Sequence, residues 1–205
     1  MRVILSLLLS VAGLVSSPAV AGKPPVLLIL GDSLSAGFGM DSDRSWVHLL
    51  EIRLNDTGHA YRILNSSISG DTTQGGRARL PRLLSRYQPG IVIIALGAND
   101  GLRGINPGIA RENMASMIRN SQHSGAKVLL AGIKLPPNYG AAYIEQFESM
   151  YADLASEYDT LLVPFFMEGI VFDPDLLQAD GIHPNEKAQS VLLDNVWRVL
   201  ESALE

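Results

Sequence analysis

The stretch that decides the fold is residues 26–35, VLLILGDSLS. Five apolar residues run without a break into a glycine, an aspartate and a serine. An unbroken apolar run of this length is typical of a strand that is buried on both faces, as in a parallel sheet. Ser33 then lies just past the carboxyl end of the strand, where open α/β sheets bind their ligands. Taken alone, Asp32 and Ser33 are equally suited to capping the next helix.

Further strand and helix patterns alternate along the chain. Short apolar runs predict four more strands, at residues 61–64, 91–96, 128–133 and 161–163. Between them, apolar residues recur at helical spacing around Met114, Phe147 and Leu192. Pro107 and Pro184 lie where helices can begin. This alternation predicts a parallel sheet with helices on both faces.

The first 21 residues have the layout of a secretory signal peptide. Arg2 supplies a positive charge, residues 3–15 are apolar or small, and Ala19, Val20 and Ala21 fit a small-x-small cleavage site. The apolar segment is short for a membrane span. We therefore expect cleavage after Ala21, no stable membrane anchor and a periplasmic or secreted protein, with an uncleaved N-terminal anchor as the alternative. Residues 22–205 then form a single domain.

Composition narrows the classes of function. The chain has no cysteine, so it contains neither disulfides nor a thiol nucleophile. It carries 16 Lys and Arg against 21 Asp and Glu, a net charge of -5, and it has no basic block. This charge distribution argues against nucleic acid as the main partner. We expect a small-molecule substrate, no cofactor, no bound metal and a monomer.

Four short motifs follow strand ends or precede the last helix. They are GDSLS at residues 31–35, SGD at 69–71, GAND at 97–100 and DGIHP at 180–184. The carboxyl ends of parallel strands share one edge of a sheet, so these segments should converge. Each motif on its own is more often a cap or a turn. The ordered set of four is much harder to obtain by accident.

The residue types in these motifs suit nucleophilic catalysis. Ser33 becomes a nucleophile when a base takes its proton. His183 can be that base, and Asp180 is close enough in the same turn to accept a hydrogen bond from the imidazole. The backbone N–H groups of Ser33 and Gly70, together with the side-chain amide of Asn99, can form an oxyanion hole.

At these four motifs the chain resembles the SGNH, or GDSL, hydrolase family. The resemblance spans nearly all of residues 22–205, and it is strongest to the secreted bacterial branch of multifunctional thioesterases, arylesterases and lysophospholipases. It implies a three-layer α/β/α flavodoxin-like fold with a five-stranded parallel sheet of order 2-1-3-4-5. It also implies hydrolysis of acyl esters and thioesters, with Ser33 as nucleophile, His183 as base, Asp180 as its orienting acid, and Ser33, Gly70 and Asn99 as oxyanion hole.

The loop after Asn99 is the candidate substrate-binding segment. It consists of Gly101, Leu102, Arg103, Gly104, Ile105 and Asn106. Its two glycines allow the backbone to move at low cost. The resemblance implies a loop that closes over a bound acyl chain, with Leu135 and Tyr139 as the opposite apolar wall. The alternative is a connector whose apolar side chains pack into the core.

Two other classes of function remain open at this point. A metal-dependent phosphoesterase could bind a divalent ion through hard oxygen ligands, and the candidates are Asp32, Asp100, Asp180 and His183. A periplasmic binding protein without catalysis would make the pairing of Ser33 with His183 accidental.

The α/β-hydrolase elbow is excluded, because it requires Gly-x-Ser-x-Gly and position 35 is serine. Residues 38–45 are slightly longer than the family resemblance predicts, so the rim of the cleft at this segment is not predicted.

Overall fold

The computed structural model describes residues 23–204, and the predicted signal peptide lies outside the described residues. The strands are β1 (Val26–Gly31), β2 (Arg62–Asn65), β3 (Ile91–Ala95), β4 (Lys127–Ala131) and β5 (Leu161–Val163). The α-helices are α1 (Ser33–Ala36), α2 (Trp46–Asp56), α3 (Thr73–Tyr87), α4 (Ala98–Leu102), α5 (Pro107–His123), α6 (Ala141–Tyr158) and α7 (Gln189–Leu200). Short 3₁₀ turns lie at Ser42–Arg44, Pro137–Tyr139, Pro174–Leu176, Glu186–Ala188 and Glu201–Ala203.

The five strands form one parallel sheet of order β2-β1-β3-β4-β5. β1 lies between β2 and β3, where Leu28 pairs with Leu64 on one side and with Val92 on the other. Every residue of β1 is buried, as the unbroken apolar run requires of an internal strand. The predicted fold class and strand order are confirmed.

The helices cover the sheet in two groups. In one group α5 packs against both α3 and α6, and in the other α2 packs against α7. The helical faces predicted around Met114, Phe147 and Leu192 belong to α5, α6 and α7, and all three side chains are buried. The sequence analysis did not identify α2 or α3. In α3 the apolar signal is weak, because Leu80 and Leu84 are the buried large residues of a helix rich in arginine.

The bounds of β5 are as predicted, whereas those of the other strands differ from the predicted ones by one or two residues. β3 ends before Leu96, β4 runs from Lys127 to Ala131 instead of over residues 128–133, and β2 is shifted by one residue. Leu96 and Ile133 are buried although they lie beyond the strands. Core burial thus continues past the last strand pairing, and an apolar run alone overestimates strand length.

Of the two prolines predicted to lie at helix starts, Pro107 does so, whereas Pro184 lies in an isolated β-bridge with Leu177. Pro107 is the first residue of α5, and the side chain of Asn106 caps this helix by accepting the Gly108 N–H at 2.8 Å. Pro184 precedes the turn Glu186–Ala188, which leads into α7. Among residues 23–204, no helix combines the length and the apolar character that crossing a bilayer demands.

Candidate active site

Ser33 is the first residue of α1 and directly follows the N-cap Asp32. The Asp32 Oδ1 atom accepts the Leu34 N–H at 3.1 Å, which caps the short helix. Asp32 therefore caps α1, which is the structural role that the sequence allowed for this residue. The Ser33 hydroxyl is left to contact another segment.

That other segment is the turn that carries His183. The Ser33 Oγ atom lies 2.9 Å from His183 Nε2, and His183 Nδ1 lies 2.7 Å from Asp180 Oδ2. The other carboxylate oxygen of Asp180 accepts the backbone N–H groups of His183 at 3.0 Å and of Ile182 at 2.9 Å. These backbone bonds, together with the bond to the imidazole, lower the pKa of Asp180 to about 2. One ionised carboxylate therefore both closes the turn and orients the imidazole.

The imidazole of His183 packs on one side against Phe38, which belongs to the 38–45 segment whose course the sequence did not predict. The ring of Phe38 lies 4.4 Å from the imidazole, centroid to centroid, with an interplanar angle of 36°. Gln178 holds the two segments together: its Nε2 donates to the Phe38 carbonyl at 2.8 Å, and its backbone N–H donates to the His183 carbonyl at 2.7 Å. Phe38 and Gln178 carry no motif, and sequence reasoning missed both.

Gly70 and Asn99 lie beside the exit of β1. The Ile68 N–H donates to the Gly31 carbonyl at 3.0 Å. The Asp71 N–H donates to the Ile68 carbonyl at 3.0 Å and closes a turn in which Gly70 has φ +80°. The amide of Asn99 donates to the buried Asp32 Oδ2 atom at 3.4 Å. All four sequence motifs therefore meet at the carboxyl edge of the sheet.

Gly97 fixes the position of α4, the helix that carries Asn99. It has φ +111°, and a Cβ atom there would lie 2.2 Å from the hydroxyl oxygen of Tyr151. That buried hydroxyl donates to the Leu96 carbonyl at 2.9 Å. Position 97 therefore requires glycine, because both the left-handed backbone and the tyrosine exclude a side chain.

Asp32 is the one strongly buried carboxyl group in direct contact with the candidate machinery, with 1% of its surface exposed. Burial raises the pKa of Asp32 to about 6, and the hydrogen bond from Leu34, the nearby His183 and the hydrogen bond from Asn99 act in the opposite direction. The sequence analysis considered Asp32 as a cap or a metal ligand. Its contact with Asn99 joins residues 67 positions apart, and no local motif indicates it.

The candidate substrate loop is attached to α6 and to the turn before it. The Tyr139 hydroxyl donates to the Leu102 carbonyl at 2.9 Å, and the Tyr143 hydroxyl donates to the Ile105 carbonyl at 2.7 Å. Leu102 is 38% exposed, and Ile105 is half-buried. Tyr143 was not among the predicted residues.

The other predicted loop residues have structural contacts. Leu135 is buried and packs directly beneath Gly101, where a Cβ atom would lie 2.4 Å from its Cδ2. Arg103 donates from Nη2 to the Gly70 carbonyl at 3.0 Å. Gly104 has φ +66°, and Asn106 caps α5. The structure thus brings the predicted set together, with Leu135 supporting the loop from below.

Comparison with known proteins identifies the family of the chain. Residues 29–191 match the profile of the GDSL-like lipase/acylhydrolase family. The chain belongs to this family. It is 53% identical to Esterase TesA of Pseudomonas aeruginosa over 87% of this chain and 89% of the relative. It is 44% identical to the Arylesterase of Vibrio mimicus, over 85% of this chain and 87% of the relative.

A third relative and a solved structure extend this similarity. The chain is 45% identical to the Thioesterase 1/protease 1/lysophospholipase L1 of Escherichia coli, over 88% of this chain and 86% of the relative. The crystal structure of TesA superposes with a TM-score of 0.85 at 52% identity, covering 87% of this chain and 99% of that chain. The similarity therefore extends over nearly the whole domain.

The carboxylates of this GDSL-family chain are not arranged as metal ligands. Both oxygens of Asp100 are engaged by Thr73, one by its backbone N–H at 2.8 Å and the other by its hydroxyl at 2.6 Å. Within residues 23–204, no group of three or more His, Asp or Glu side chains is placed to hold a metal ion. The phosphoesterase hypothesis therefore has no support in the placement of its four candidate residues.

Replacing Asp32 by asparagine should lower activity. Asparagine still accepts the Leu34 N–H, but its amide nitrogen would then face the Asn99 amide, so two donors would oppose each other and Asn99 must turn away. We expect kcat of Asp32→Asn on an aryl ester to fall by up to about a hundredfold, near the effect of losing one oxyanion donor. An unchanged kcat would show that the position of the Asn99 amide does not depend on Asp32.

The same variant should gain stability in a pH-dependent way. Because the pKa of Asp32 is raised on folding from 3.8 to about 6, its ionised form destabilises the folded protein above about pH 6. That penalty shrinks as the pH falls from 6 to 3.8 and vanishes below about pH 3.8, where the carboxyl group is protonated in both states. Calorimetry should therefore show the Tm of Asp32→Asn rising relative to that of the native protein as the pH increases from 3.8 to 6, with no further relative rise above pH 6. A Tm difference independent of pH contradicts this account.

Proposed function

We propose that this chain is a serine esterase and thioesterase that hydrolyses acyl esters through an acyl-serine intermediate. The observation that carries the proposal is the continuous hydrogen-bond chain from Ser33 Oγ to His183 Nε2, 2.9 Å, and from His183 Nδ1 to Asp180 Oδ2, 2.7 Å. The relatives named as an esterase, an arylesterase and a thioesterase/lysophospholipase support the substrate class.

The geometry supports a two-step acyl transfer. Ser33 Oγ attacks the carbonyl carbon of the substrate while His183 Nε2 takes the hydroxyl proton, and the ionised Asp180 stabilises the imidazolium. The tetrahedral intermediate collapses, the bond to the alkoxide or thiolate breaks, and His183 gives the proton to this leaving group. Water then attacks the acyl-serine while His183 takes its proton. The bond between the acyl carbon and Ser33 Oγ breaks, His183 returns the proton to Oγ, and the carboxylic acid is released.

The oxyanion of each tetrahedral intermediate needs hydrogen-bond donors that are already in place. The backbone N–H groups of Ser33 and Gly70 and the side-chain amide of Asn99 are the proposed donors. Each belongs to a segment that follows a strand end. The segment of Ser33 contacts the segment of Gly70 at Gly31 and the segment of Asn99 at Asp32. The binding-protein hypothesis explains none of these contacts.

Ser33→Ala tests the nucleophile. Loss of one member of a Ser-His-Asp triad costs several orders of magnitude in rate, so hydrolysis of aryl esters and acyl thioesters should disappear. Circular dichroism should show a native fold, and a serine-directed organophosphorus reagent should add mass at Ser33 of the native protein. Ser190→Ala, at an exposed position in α7, is the matched control and should keep full activity. Retained activity in Ser33→Ala would refute the proposal.

We also propose that the 101–106 loop, with Tyr139 beside it and Leu135 beneath it, sets the preference for acyl length. Leu102 is the exposed apolar side chain of this loop, and each methylene it buries is worth about 0.8 kcal/mol. Leu102→Ala should therefore lower kcat/KM about five- to tenfold more for a dodecanoyl than for an acetyl ester.

Ile109→Ala is the matched control for this loop, because Ile109 is an exposed apolar residue outside it, in α5. It should leave the ratio of the two kcat/KM values unchanged. If Leu102→Ala lowered kcat/KM equally for the acetyl and the dodecanoyl ester, the loop would have a role in the fold alone.

We further propose that the chain is exported and cleaved after Ala21. The support is the positive charge, apolar segment and small-x-small site of residues 1–21. Edman sequencing of the protein recovered from the periplasm or medium should begin at Gly22. Ala21→Asp, which spoils the cleavage site, should retain the leader. Recovery of Met1–Val20 peptides from the active native protein would contradict the proposal.

A further inference from the structure

The three proposed oxyanion donors belong to three separate chain segments. Ser33 follows β1, Gly70 follows β2 and Asn99 follows β3. Strand pairing in this sheet ends at Gly31, Asn65 and Ala95. The placement of the donors relative to one another therefore depends on contacts beyond the sheet, and sub-ångström placement matters for catalysis.

One side chain of α3 joins the first two segments. Arg79 donates from Nη2 to the Gly31 carbonyl at 3.3 Å and from Nη1 to the carbonyl of Ser66, and its Nε donates to Asp71 Oδ2 at 2.8 Å. Ser66 and Asp71 lie near the two ends of the segment that connects β2 to α3 and carries Gly70. A single planar guanidinium thus contacts the exit of β1 and both ends of this connecting segment.

The ion pair between Arg79 and Asp71 is largely shielded from solvent, and close packing fixes the position of the carboxylate. The side chains are 20% and 12% exposed, so the ion pair is less screened by solvent than a surface pair. The other oxygen of Asp71 accepts the Thr72 N–H at 3.0 Å. A Cβ atom at Gly75 would lie 1.8 Å from this oxygen, so a side chain at position 75 would displace the carboxylate.

A second buried group joins the Gly70 segment to the Asn99 segment. The Asp100 carboxylate, next to Asn99, accepts the backbone N–H and the hydroxyl of Thr73, the first residue of α3. Asn113 adds a hydrogen bond from its amide to the Thr73 hydroxyl at 3.0 Å. Through α3, the segment after β2 is therefore fixed to both of its neighbours.

We propose that Arg79 is a positioning residue of the oxyanion hole, which sets the Gly70 N–H at its distance from the Ser33 N–H. This inference rests on the proposed esterase function. Arg79 acts through the Gly31, Ser66 and Asp71 contacts. Lysine cannot replace it, because an ammonium group lacks the rigid fork of donors that spans three acceptors.

The role predicts a specific kinetic pattern. An oxyanion hole in which one donor is displaced stabilises the transition state less, but it leaves ground-state binding of the substrate intact. We therefore expect kcat to fall while KM stays nearly constant. Removal of one donor costs about 10²–10³ in kcat. Displacement of one donor should cost less, about ten- to a hundredfold.

The experiment compares Arg79→Lys with Arg82→Lys, a matched control at an exposed position of the same helix. Active sites are counted with the organophosphorus reagent. The values of kcat and KM are measured on a butyryl aryl ester, and Tm is measured by calorimetry.

Inhibition by butylboronic acid, which forms a tetrahedral adduct on the serine, directly reports the state of the oxyanion hole. We expect kcat per active site to fall about ten- to a hundredfold in Arg79→Lys, with a parallel rise in the boronic acid Ki and a KM within about twofold of native. Arg82→Lys should match the native protein.

Asp71→Asn gives a second route if Arg79→Lys does not fold. It removes the charge of the partner and leaves a single acceptor for two donors, the Thr72 N–H and the Arg79 Nε, so kcat should fall and Ki should rise as in Arg79→Lys. A lower Tm with unchanged kcat and Ki in these variants would overturn the proposal, as would a raised KM with unchanged kcat. A failure of the proposed function itself is distinguishable, because the native protein would then show neither ester hydrolysis nor labelling of Ser33.

Discussion

The exit of β1 is the constraint on which the rest of the site depends. β1 is buried along its whole length between β2 and β3, so its last residues cannot move without disturbing the sheet. The Gly31 carbonyl accepts the Ile68 N–H, the Asp32 carboxylate accepts the Leu34 N–H and the Asn99 amide, and the Ser33 hydroxyl contacts His183. Three consecutive residues therefore connect the oxyanion loops, the short helix and the histidine turn.

Four carboxylates lie close to this edge, and each is accommodated differently. Asp180 is partly exposed and accepts three hydrogen bonds, which lower its pKa to about 2. Asp32 is buried, and burial raises its pKa to about 6. Asp71 pairs with Arg79, and both oxygens of Asp100 are satisfied by Thr73. Only Asp180 combines an ionised state with access to the imidazole, which is what the role of orienting acid requires.

The sequence allowed the fold and the reactive groups to be predicted for local reasons. The apolar run into Gly31 identifies a buried parallel strand, and Asp180 with His183 lies within one turn, so their contact follows from spacing. The supporting contacts could not be predicted, because they join residues far apart in the chain through side-chain packing. Arg79 with Gly31 spans 48 positions and Gln178 with Phe38 spans 140. α3, which carries Arg79, has too weak an apolar pattern to be recognised.

The short helix α4 joins the proposed oxyanion donor Asn99 to the proposed substrate loop. Its first turn carries Asn99 and is held by Asp100, whose carboxylate binds the start of α3. Its last two residues, Gly101 and Leu102, begin the loop, which Tyr139 and Tyr143 hold through backbone carbonyls. Because these tyrosine bonds go to the backbone, loop side chains can change without altering them. The bonds from Thr73 to Asp100 likewise hold Asn99 independently of the loop side chains, so the proposed acyl preference can vary while the proposed oxyanion hole stays constant.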